Sequence, residues 1–329
     1  MPILKNRLVR PLATLATTLV AMLAAAAPAA AQNYPERPVK IVSVTSAGTG
    51  IDDYTRLLAK FMSQKLGQSF VVENRPGANM IIASDYVAKS APDGYTLLLS
   101  GSGAMAANPF LYRKLPYDPM KDFAPIARLS VLPVALIVPG SSPYHTVNDL
   151  IAAAKAKPGK LNFGTSSTGY RTIISAFNEA ARIETVSVPY KAANMLLTDV
   201  MAGVVDYSLV EVSAVTPHLQ GGKLRVLAIT GPARLPQLKD VPTLAEVGLA
   251  RNALTTWVGL FAPAGTPPAI VDKLAKLALE FTTSPEAVAH YQARGSAAYG
   301  ASGAELRKGI IADQQVWKQM ISLAGIEPE

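Results

Sequence analysis

Four hydroxyls stand in a row at Thr165, Ser166, Ser167 and Thr168, framed by Gly164 and Gly169 in the run GTSSTGYR ahead of a helical pattern. One hydroxyl is enough to cap a helix. A row of four can also hold a carboxylate at the helix start, where free backbone N–H groups and the helix dipole favour an anion. Ser46 to Asp52, SAGTGID, offers related chemistry. Gly48 and Gly50 let backbone amides face a ligand, Thr49 adds a hydroxyl, Ile51 is apolar, and Asp52 or Asp53 is suited to cap the helix that follows. The loop lacks the Lys-Ser or Lys-Thr of a phosphate-binding loop and does not match GxGxxG. A third candidate is VVENRPGA, Val71 to Ala78, where Glu73, Asn74 and Arg75 meet a turn forced by Pro76 and Gly77, with Asn79 and Met80 just beyond. On local chemistry alone that run reads first as a surface turn carrying its own ion pair. Ser102 and, in the turn PYKAA, Lys191 and Ala192 are further candidate contacts.

Catalytic patterns are missing. There is no GxSxG elbow, SxxK or HExxH, and without any Cys there is neither a cysteine-based metal site nor a disulfide framework. Asp52 and Asp53 are adjacent, so on a helix they point about 100° apart and cannot work jointly as acid and base. His145, His218 and His290 are read as surface or packing residues. No catalytic residue, metal or cofactor is therefore expected.

Positioning these loops requires a framework, and the pattern from Val39 onward supplies one. Apolar strand-like runs alternate with helical periodicity, the signature of an α/β fold with a parallel sheet flanked by helices. Strands are expected at Val39 to Val44, Ser69 to Val72, Thr96 to Leu99, Val134 to Val138, Leu161 to Phe163, Thr185 to Val188, Tyr207 to Val210, Leu224 to Ile229 and Thr256 to Ala262. The C-terminal region is helical: Pro267 to Thr283, a helix opened by Ser284 and Pro285, and one opened by a Ser302/Glu305 capping box, with Gly325 as a stop. Two lobes are expected, residues 32–133 plus 256–329 and residues 134–255, joined by hinge strands near Leu132 to Val138 and Thr255 to Ala262.

Residues 1–31 read as an export signal: Lys5, Arg7 and Arg10, then an apolar stretch from Leu12 to Ala27, then Ala29, Ala30 and Ala31 as the cleavage site. The mature protein is therefore expected to be exported. No later stretch is long enough to span a membrane. The chain has 31 basic against 23 acidic residues, a modest excess that suits anionic ligands. The basic residues are scattered singly, so no nucleic acid partner is expected.

The ordered segments resemble the extracytoplasmic solute receptors of tripartite tricarboxylate transporters, the Bug receptor family. The resemblance rests on YPERPVKIV (Tyr34 to Val42), VVENRPGA, APDGYTLL (Ala91 to Leu98), LPYDPMKDFAPI (Leu115 to Ile126), AKPGKLNFG (Ala156 to Gly164), VPYK (Val188 to Lys191), GGKLRVLAIT (Gly221 to Thr230), DVPTLAEVG (Asp240 to Gly248) and GLFAPAGTP (Gly259 to Pro267). It implies a two-lobed periplasmic binding protein fold, type II-like and monomeric, that closes over a small carboxylate and presents it to membrane permease subunits. It also implies carboxylate contact through backbone amides and ordered waters of the first two loops.

Several positions depart from the family pattern. Where a proline, three glycines, Thr and Asp are usual, this chain has Ala47, Gly48, Thr49, Gly50, Ile51 and Asp52; where Gly-Gly is usual it has Asn79 and Met80. Ile173 stands in place of a His, Glu211 in place of an Asn, and Ala192 in place of a Gly. Side chains thus enter where the family leaves backbone exposed, and a buried Glu211 disfavours a purely anionic ligand unless Lys191 or Arg171 compensates it. Two other readings compete: a secreted α/β hydrolase using Ser166 and His218, and a receptor that docks to a signalling partner.

Overall fold

The computed structural model describes residues 33–231, 233–249 and 255–329; the expected export signal lies outside them. In chain order come β1 (Val39–Ser43), α1 (Gly50–Leu66), β2 (Phe70–Asn74), α2 (Ile81–Ala88), β3 (Thr96–Gly101), α3 (Asn108–Leu111) and β4 (Phe123–Leu132). Next are β5 (Val134–Pro139), α4 (Val147–Ala156), β6 (Asn162–Thr165), α5 (Thr168–Ala181), β7 (Val186–Pro189), α6 (Ala193–Met201), β8 (Tyr207–Glu211), α7 (Val212–Leu219) and β9 (Leu224–Ile229). Then follow β10 (Thr256–Pro263), α8 (Pro268–Thr282), α9 (Pro285–Ala293), β11 (Ala297–Ser302) and α10 (Gly303–Leu323).

The strands form a six-stranded sheet, β11-β4-β10-β3-β1-β2, and a five-stranded sheet, β7-β6-β8-β5-β9. The class is α/β, but both sheets are mixed rather than parallel. β1 pairs parallel with β2 and β3, whereas β10 runs antiparallel to β3 and β4. In the second sheet β6 is parallel to β7 and β8, and β5 is antiparallel to β8 and β9. The reason is the path of the chain. β4 leaves the first sheet and β10 re-enters it from the second, so the two lie side by side in opposite senses. Pro133 alone separates β4 from β5, and at this junction Thr256 donates to the Leu132 carbonyl at 2.9 Å while the Val212 N–H donates to the Pro133 carbonyl at 2.9 Å.

Local sequence sets the helix starts. Thr49, rather than Asp52 or Asp53, caps α1 by accepting from the Asp52 N–H at 3.2 Å. Capping boxes open α4 (Thr146 and Asp149) and α10 (Ser302 and Glu305), and Ser167 caps α5. Alternation along the strands sorts side chains to the two faces of each sheet. Val39 and Ile41 face α1 and α8 in one buried cluster, while Val42 and Val44 join α2 and the first turns of α10 in another. Each fully buried Leu or Ile contributes roughly 1.5–3 kcal/mol. α10 belongs to both halves: Leu306 and Ile310 pack with Phe261 and Trp257, while Trp317, Met320 and Ile321 pack with Phe163, Ile174 and Phe177.

Candidate functional site

Asn74 of the ENRPGA run ties the first two loops together. Its amide donates to the Thr45 carbonyl at 2.9 Å and to an Asp52 carboxylate oxygen at 2.8 Å, and its own oxygen accepts from Arg56 at 3.1 Å. Asp52 also accepts from the Gly48 N–H at 2.9 Å and from Arg56 Nε at 3.0 Å. Burial pushes the Asp52 carboxyl up, but the bonds from Asn74, Gly48 and Arg56 together outweigh it and hold the group below the usual range. With 2 % exposure Asp52 shapes the loop from behind. Glu73 is occupied in the same way. It pairs with Lys40 at 2.6 Å and with Arg75, whose guanidinium lies 3.7 Å from the centre of the Tyr86 ring.

Beyond that turn the backbone goes left-handed through Gly77, Ala78, Asn79 and Met80, with φ of 119°, 44°, 51° and 73°. A non-glycine residue in this region is disfavoured by about 1–2 kcal/mol, less for Asn. The positions where the family pattern has Gly-Gly keep a glycine-like backbone here with side chains added. Asn79 and Asn108 brace the loop through paired amide bonds, Asn79 Nδ2 to Asn108 Oδ1 at 3.0 Å and Asn108 Nδ2 to the Asn79 carbonyl at 2.8 Å.

Two adjoining cavities lie between the sheets. The first, continuous with solvent, is lined by Asn79, Ser102, Ser167 and Gly169 from the expected set, together with the unexpected Ser100, Tyr170, Trp257 and Trp317. The second is lined by Thr49, Gly50 and Ser166, with His290 and Arg294 from α9 and the turn after it. Ile51, Met80 and Glu211 line both. Ser46, Gly48, Asp52, Ala78, Thr165, Lys191 and Ala192 line neither cavity. The Thr165 hydroxyl donates to the Ser167 carbonyl at 2.9 Å, and Lys191 is exposed. Ser166 reaches the second cavity, whereas His218 lines neither, so the pair invoked for hydrolysis is not brought to one cavity.

Glu211 ends β8 and faces the cavities. Its Oε1 accepts from the Tyr170 hydroxyl at 2.9 Å and its Oε2 from Ser213 at 3.4 Å. Neither Lys191 nor Arg171 compensates it: among the described residues Glu211 has no ion-pair partner, and both basic residues are exposed. Burial raises the Glu211 carboxyl against the two hydroxyl bonds, and burial, then the Glu211 charge, lifts the Tyr170 hydroxyl well above its ordinary value. Arg294 is engaged by Asp53 at 2.6 Å and lies 3.1 Å from His290 Nδ1. Sequence reasoning missed Trp257 and Trp317 because neither stands in a polar loop. A signal existed, since the chain has just two tryptophans and both line the first cavity.

Comparison with known proteins gives a consistent picture. Residues 54–326 match the family described as "Tripartite tricarboxylate transporter family receptor". Protein BugT of Bordetella pertussis (strain Tohama I) is 33% identical over 310 residues, 93% of this chain and 95% of that protein. A solved R. palustris protein with adipate is 34% identical with a TM-score of 0.81, covering 90% of this chain and 100% of that one. The periplasmic binding protein BugD is 29% identical with a TM-score of 0.77, covering 90% and 100%.

Proposed function

The chain belongs to the tripartite tricarboxylate transporter receptor family and is a solute receptor, and we propose that its solute is a small organic acid taken up between two lobes. The observation that carries this reading is the cavity between the sheets, walled by the first and second loops on one side and by the start of α5 and the end of β8 on the other. The start of α5 presents Gly169 and the Ser167 hydroxyl, and helix starts favour carboxylates. The related R. palustris protein was solved with adipate, which supports an acid of similar size.

In this reading the lobes are residues 32–133 plus 256–329 and residues 134–255, hinged at Pro133 and near Thr255. The protein is exported by residues 1–31, acts as a monomer in the periplasm and hands its ligand to permease subunits. Thermal shift of the mature protein against dicarboxylates, tricarboxylates, amino acids and aromatic acids tests it. One clear stabiliser is expected, because a ligand that binds only the folded state raises stability. A flat response would overturn acid capture.

A further inference from the structure

We propose that the cavity takes a ligand with unlike ends, a carboxylate at one and a protonated nitrogen at the other, and that Glu211 is the residue that selects the nitrogen. The inference rests on the receptor reading above and narrows its ligand class. Among the described residues lining the first cavity, Glu211 is the one charged side chain. Both its hydrogen-bond donors, Tyr170 and Ser213, are neutral hydroxyls. Arg294, the cation in the second cavity, is already held by Asp53. A diacid would set a second carboxylate against an uncompensated one, and like charges in a poorly hydrated site disfavour each other's ionisation. An ammonium or ring N–H⁺ would instead complete an ion pair with a charge-assisted bond to Glu211.

The acid end has partners of its own. Ser100 and Trp317 line the same cavity at 1 % and 2 % exposure, and neither Ser100 Oγ nor Trp317 Nε1 has a hydrogen-bond partner. Buried donors of this kind are rare in folded proteins, and in this proposal the carboxylate takes them up together with the α5 start when the ligand binds. Much of the remaining lining is apolar, with Ile51, Met80, Leu99, Leu132 and Ile173 among it. That surface suits a hydrocarbon spacer.

Isothermal titration of the mature protein with matched pairs tests the inference: γ-aminobutyrate against succinate, ε-aminocaproate against adipate, and hexanoate as the single-ended control. The expected result is that at least one amino acid binds roughly tenfold or more tightly than the diacid of its length, and that Glu211→Gln erases or reverses that preference. Tyr170→Phe should weaken the preference less than Glu211→Gln. A diacid that binds the wild type as tightly as its amino partner, binding of hexanoate alone, or a preference unchanged in Glu211→Gln would overturn the inference and leave the receptor reading standing. Failure of every acid to bind would overturn both. The wild-type ratio alone overturns the ligand class if no amino acid is preferred, and Glu211→Asn, which should likewise erase the preference, tests the residue if Glu211→Gln does not fold.

Discussion

Asp52 illustrates how a residue of ligand-binding type can be consumed by the scaffold. Its carboxylate has three protein partners and little surface left. A carboxyl held below its ordinary range in the folded state contributes stability that is present above about pH 4 and is lost as pH falls through the folded value. Asp52→Asn should therefore flatten the acid limb of a melting-temperature profile between neutral and acid pH; an unchanged limb would count against the network. Ala78 is exposed and left-handed at φ 44°, with its strain uncompensated by any side-chain bond. Ala78→Gly should relieve it, leaving stability unchanged or raised by up to about 1 kcal/mol in urea denaturation. A loss larger than that would mean the loop does not hold this conformation in solution.

At the scale of elements, much of the framework was legible. β9 begins and ends where the pattern placed it, and the capping residues Ser284 and Ser302 open α9 and α10 as expected. β4 and β11 were not foreseen, because Pro125, Arg128 and Ser130 interrupt one apolar run and AAYGAS is nearly featureless; both strands owe their existence to antiparallel partners. The site was legible in part for a related reason. Loops after strands announce themselves by polarity, whereas Trp317 reaches the cavity from the far end of a helix whose register only tertiary packing fixes. Ser167→Ala should cost about 1 kcal/mol through loss of the α5 cap, read by chemical denaturation. Trp317→Ala should cost about 3–5 kcal/mol, since it empties a site in the cluster that α10 shares with α5; a near-neutral result would show that α10 does not brace the second sheet.

On the scale of the whole molecule, two sheets meet along side-by-side crossing strands, and a helix of 21 residues packs on both. At 1.5 Å per residue that helix is a strut about 30 Å long. Any closing motion must pivot near its contacts rather than slide past them. Small-angle scattering with saturating ligand should give a slightly smaller radius of gyration than the free protein if closure accompanies binding, and an unchanged radius would favour a cavity already closed at rest. The placement of Trp257 and Trp317 in the lining of one cavity, with Trp257 Nε1 bonded to Asp313 at 2.6 Å and Trp317 Nε1 unbonded, has a practical consequence. Both indoles of the chain line the first cavity, so the protein carries its own optical reporter: emission intensity and wavelength should respond to occupancy of that cavity without a label, and single Trp→Phe variants should separate the response of one indole from that of the other.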